Sequence, residues 1–116
     1  MNNLSNVFVE AADLLEPKGS WCRHVYGRKN GVAVKSDDTR NCDQRCMVGA
    51  IRCVTEFSGN KKKVKLRAEA ERMLAAAVPT APMNWNDDPA RTQEEVVALL
   101  RELSGVPDYD SYVHYD

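Results

Sequence analysis

Two apolar stripes at helical spacing bracket this chain, and they limit its folds more than any other feature. Leu4, Val7, Phe8, Ala11, Leu14 and Leu15 recur at the i, i+3, i+4 and i+7 positions that share one helix face. Val96, Leu99, Leu100 and Leu103 repeat the pattern near the other end. Each stripe has to be covered by another element, so the chain must build a helical core. Asn3 or Ser5 can cap the first helix, and Pro17 and Gly19 end it, which predicts a helix over 4–16. Thr92 and Glu95 form a capping box for the last helix, predicted from Gln93 to Ser104. Gly105 is expected to take a left-handed position after it, and Pro107 to prevent continuation.

Between the stripes the period changes. Asn30-Gly31 is a strong type I′ turn signal because both residues tolerate positive φ. It is flanked by Trp21–Tyr26 and Val32–Val34, which are read as the strands of a hairpin. Ser36 to Arg40 reads as a polar loop. Asn41 with Gln44 has capping-box spacing and predicts a second helix opening there. Cys46, Ala50, Cys53, Val54 and Phe57 line one face of it, Met47 and Ile51 widen that face, and Ser58-Gly59-Asn60 stops it. Gly49 weakens this helix by about 1 kcal/mol relative to Ala, and the compensation expected is close approach of another backbone. A third helix is predicted over 64–78, with Leu66, Ala70, Met73, Leu74 and Ala77 as its core stripe. Pro79 and Pro82 then read as a rigid linker.

These elements amount to a mainly α (α+β) fold: a compact four-helix domain with one β-hairpin between helices 1 and 2. A chain of 116 residues suits one domain, here 1–105, followed by a 106–116 tail whose three tyrosines point to docking. A net charge of −1 argues against a molecule drawn bodily to nucleic acid or to a membrane surface. No signal peptide and no membrane-spanning run is read in the sequence. The four cysteines are therefore expected as thiols in the cytoplasm.

Candidate functional residues concentrate in the approach to the last helix. Trp85, Asn86, Asp87 and Arg91 crowd an indole, an amide, a carboxylate and a guanidinium into seven positions. One reading makes them a polar binding site on a rigid scaffold. The competing one makes Trp85 a core plug, with the polar groups ordering their own loop. Lys61, Lys62 and Lys63 could meet phosphates at a helix N-terminus, but no aromatic residue is interleaved to stack on bases, so nucleic acid is not the favoured partner. Cys22, His24, Cys42 and Cys46 fit zinc spacing poorly, so neither a metal nor another cofactor is expected. A thiol paired with His24 and Asp87 would be the enzymatic alternative.

The Trp85-Asn86-Asp87 triplet, with Arg91-Thr92 and Glu95-Val96, resembles a W-N-D-x-x-x-R-T-x-x-E-V signature. That signature belongs to a family of unknown function in actinobacteria and their bacteriophages. Trp21-Cys22 is similar to the family's W-C, and Cys46–Ile51 to its C-A-L-G-A-L helix. Asp88-Pro89-Ala90 departs from the family's usual proline-glycine turn. The resemblance implies a shared fold and a phage or actinobacterial origin, and no activity. The function expected is that of a small intracellular interaction protein, leaning away from catalysis, that binds a host or phage macromolecule, a protein rather than nucleic acid. The alternative is a small enzyme or ligand-binding protein with a polar pocket around Trp85, Asp87 and Arg91.

Overall fold

A computed structural model of the chain describes residues 3–35, 39–55 and 61–105. Helix α1, Asn3–Leu15, runs as its period requires and stops one residue ahead of Glu16. Helix α5, Gln93–Ser104, has the predicted bounds, and the Thr92–Glu95 box is present in both directions. The two pack extensively on each other. Their apolar faces meet through Leu4, Val7, Phe8, Val96, Leu100 and Leu103, all buried. Polar contacts fix the register at both ends of this pair. Gln93 Nε2 donates to the carbonyls of Leu15 and Pro17 at 2.7 Å each, satisfying the last carbonyl of α1 and tying down the turn after it. Ser5 Oγ donates to Ser104 O at 2.5 Å.

The hairpin turn sits where expected, with Asn30 at φ 53° and Gly31 at φ 82°. Its first strand does not. Strand β1 is Gly27–Lys29, paired antiparallel with β2, Val32–Ala33. Trp21–Tyr26 is irregular instead, because His24 turns the chain at φ 75°. A third strand, β3 (Gln44–Arg45), pairs with the other side of β1, so the sheet order is β2-β1-β3. Trp21 then joins Arg45 in a parallel bridge.

Strand β3 overturns the predicted start of the second helix. Asn41 closes a single 3₁₀ turn, Thr39–Asn41, and Gln44 is spent on the β1 ladder. Helix α2 begins only at Met47 and runs to Thr55. Cys46, just before it, takes the capping role: its Sγ accepts from Gly49 N at 3.2 Å. Cys42 and Cys46 therefore do not share a helix face. The buried face is Met47, Val48, Ala50 and Ile51, with Cys53 half-buried. Phe57 and Ser58-Gly59-Asn60 lie outside the described residues.

Gly49 meets the expectation set for it. A Cβ there would stand 1.9 Å from Tyr26 O, so α2 lies directly against the backbone leading into β1. Helix α3 spans Lys61–Ala77, and buries Ala70 and Leu74 on the core while Ala77 faces out. Pro82 is not linker. It opens a six-residue helix, α4 (Pro82–Asp87), where its missing N–H is harmless and its fixed φ suits the first turn. Gly105 also departs from expectation, with φ −86° in the right-handed region. The described domain thus holds five α-helices and a small antiparallel sheet between the first two. The tail, 106–116, and Pro107 lie outside the described residues.

Candidate functional site

Helix α4 carries the Trp-Asn-Asp triplet, and one turn of helix sends its three side chains to different tasks. Asn86 is fully buried. Its Oδ1 accepts from Trp21 Nε1 at 2.7 Å and from Met47 N at 3.0 Å. Its Nδ2 donates to Cys22 O at 3.2 Å and Asp87 Oδ1 at 3.0 Å. All four hydrogen-bonding positions of the amide are used. This one side chain ties the Trp21-Cys22 segment, the N-terminus of α2 and α4 together.

Asp87 extends the tie. Its Oδ1 also accepts from His24 N at 2.8 Å, which holds the left-handed turn at His24 in place. The imidazole stays out in solvent, 70% exposed, with Nδ1 3.8 Å from Asp87 Oδ2. Arg91 lies over Trp85, its guanidinium carbon 3.7 Å from the ring centroid. Arg91 Nε donates to Trp85 O at 3.0 Å, and Nη1 is 3.5 Å from Glu95 Oε2 one turn up α5. The turn between α4 and α5 is closed by Ala90 N donating to Asp88 Oδ1 and Arg91 N to Asp88 O, at 2.9 Å each. Asp88 and Ala90 thus supply a turn without glycine.

A second stack runs beside the first. Arg23 lies over Trp21 at 4.5 Å, and its Nη2 donates to Arg91 O. The result is a ladder, Trp21, Arg23, Arg91, Trp85, with two half-buried indoles each covered by a guanidinium. Such stacks contribute about 0.5–1 kcal/mol each at exposed sites, and more when desolvated. Their greater effect here is to leave long arginine side chains with few alternative positions.

The four predicted residues are therefore neighbours, but they do not converge on one pocket. Asn86 faces inward as support, while Trp85, Asp87 and Arg91 contribute to a surface. Sequence reasoning did not include Arg23 in this group. Its position two residues after Trp21 is that of one strand face, but its bond to the Arg91 carbonyl spans 68 residues of chain and leaves no local signal.

Cys22 and Cys46 are poorly placed for nucleophilic work. Burial pushes Cys22 up to about 11, with Arg28 pulling the other way, and Cys42 and Asp87 adding to the rise. Burial likewise pushes Cys46 up to about 12, against the amide it accepts from Gly49. Both are protonated at neutral pH. Among the described residues no group of three or more His, Cys, Asp or Glu side chains is arranged to hold a metal ion. No described helix is long and apolar enough to cross a membrane. The side chains of Lys61, Lys62 and Lys63 lie outside the described residues.

Fold and site together define a mainly α domain that carries an indole–guanidinium ladder anchored by a buried asparagine. Residues 1–105 match a family of unknown function, DUF6197, and the chain belongs to that family. No curated protein and no solved structure shows a significant match to the chain.

Proposed function

We propose that the chain is a small interaction protein that presents the ladder face, built from Trp85, Asp87 and Arg91 on the support of Asn86, to a protein of a phage or its bacterial host. The observation that carries this reading is the Arg91 guanidinium lying 3.7 Å from the Trp85 ring centroid while bonded to the Trp85 carbonyl. Tryptophan and arginine supply much of the energy in protein interfaces, and most when they lose little freedom on binding. Here both are already ordered in the free chain. The two thiols, raised well above neutrality, offer no support to the enzymatic alternative.

Arg91→Lys and His24→Asn test the proposal without removing the buried amide. Lysine keeps the charge and covers the ring with its stem but cannot lie flat on it. Asparagine tolerates the left-handed backbone at position 24. With native folding confirmed by far-UV circular dichroism, capture of partners from an actinobacterial lysate is expected to fall about tenfold for the pair, or ~1.4 kcal/mol. Undiminished capture of the same proteins by the folded double variant would overturn the proposal.

A further inference from the structure

A separate cleft opens between α2, α3 and the start of α4, with a volume of about 240 Å³. Its apolar walls are Val48, Leu74, Pro82 and Met83. Its polar side is one ion pair with an aromatic backing. Arg52 Nε donates to Glu71 Oε2 at 3.3 Å, and the guanidinium carbon lies 4.5 Å from the Tyr26 ring centroid. Among the described residues the terminal nitrogens of Arg52 and the second carboxylate oxygen of Glu71 have no hydrogen-bond partner. Both side chains are only about a quarter to a third exposed, at 27% and 31%. The pair is thus held in place yet has spare donors and a spare acceptor.

We infer that this cleft binds a free amino acid with an apolar side chain, its carboxylate on Arg52, its ammonium on Glu71 and its side chain against Val48, Pro82 and Met83. Charge complementarity selects the zwitterion. A simple carboxylate would gain Arg52 but crowd Glu71, and a simple amine would do the reverse, because the two protein charges sit side by side. Only a ligand carrying both signs a few ångströms apart gains from each. Size agrees, since an engineered apolar cavity of ~150 Å³ already admits benzene. A ring or branched chain with a short polar head suits the larger volume. Pro82 and Met83 open the same helix that ends in Asn86 and Asp87, so a ligand here would rest on the element that supports the ladder face.

The test is a titration of the full chain, followed by backbone amide NMR, with L-phenylalanine, phenylacetate and 2-phenylethylamine in parallel. L-Phenylalanine is expected to shift the amides of Val48, Leu74, Ala81 and Met83 saturably, and both one-charge analogues to bind at least about tenfold more weakly. Arg52→Met and Glu71→Gln should each weaken the amino acid by a similar factor. The wild-type titration stands alone if either variant fails to fold. Absence of saturable shifts at those amides, or equal affinity for either analogue, would overturn the inference.

Discussion

Replacing Gly49 by alanine sets helix propensity against packing, and the structure determines which wins. Alanine in a helix interior is favoured over glycine by about 1 kcal/mol. Against that, the new Cβ would stand 1.9 Å from Tyr26 O and 2.9 Å from Tyr26 C. Neither atom is the end of a flexible side chain. To reach ordinary contact, the Tyr26 peptide or the first turn of α2 must move by more than 1 Å. That peptide oxygen also accepts from Cys46 N at 3.1 Å, and Cys46 caps α2. Overpacking of this kind costs about 1–3 kcal/mol, and a weakened backbone hydrogen bond about 0.5–1.5 more. The net expectation is destabilisation by roughly 2 kcal/mol, which lowers Tm by on the order of 10 °C in a domain of this size. Urea denaturation followed by far-UV circular dichroism measures it. Gly105→Ala is the matched control: its φ is −86° and its nearest contact would be 3.4 Å, so it should stay within about 0.5 kcal/mol of wild type. A Gly49→Ala variant as stable as the parent would refute the close-approach argument.

Other substitutions probe the site and its supports. Asn86→Leu strands the Trp21 indole N–H, the Met47 amide and the Cys22 carbonyl, and should cost at least about 3 kcal/mol in urea denaturation. An effect under about 1 kcal/mol would mean that water replaces the amide freely. Thr92→Ala removes the acceptor of Glu95 N and should cost about 1 kcal/mol by the same assay. The raised thiols make stability depend on alkaline pH. Below about pH 9 both states hold their thiol protons, and above it the unfolded chain loses them first. The urea midpoint should therefore fall from pH 9 towards 11, and less steeply in a Cys22→Ala, Cys46→Ala variant. Equal slopes would show that other groups govern the decline.

The parts of the fold legible in the sequence were those decided by neighbours along the chain. The bounds of α5 follow from Thr92 and Glu95 three residues apart, and the Asn30-Gly31 turn from the backbone freedom of two residues. Gly49 was legible too, because a glycine inside a helix carries a penalty that something must offset. Asn41 and Gln44 misled for the opposite reason. Their spacing is that of a cap, but Gln44 pairs with Arg28 in the sheet, a partner that local pattern cannot reveal. Helix α4 was hidden by its six-residue length and by Pro82, which reads as a breaker unless it stands in the first turn. The clustering of Trp85, Asn86, Asp87 and Arg91 was visible as composition. The task of Asn86 was not, since its contacts with Cys22 and Trp21 lie 64 and 65 residues away along the chain.

The pairing of α1 with α5 has a consequence for how the protein comes into being. The apolar face of α1 leaves the ribosome ahead of the other described helices, and its principal cover arrives with residues 93–104. At about 5–20 residues per second, the gap of nearly 80 residues between Leu15 and Gln93 means roughly 4–16 s of waiting. During that interval Leu4, Phe8 and Ala11 have no permanent partner on α5, and a chain stopped before Gln93 never acquires one. The α1 face is therefore completed only when α5 arrives, and until then α2, which also packs on α1 in the folded domain, is the main cover already made.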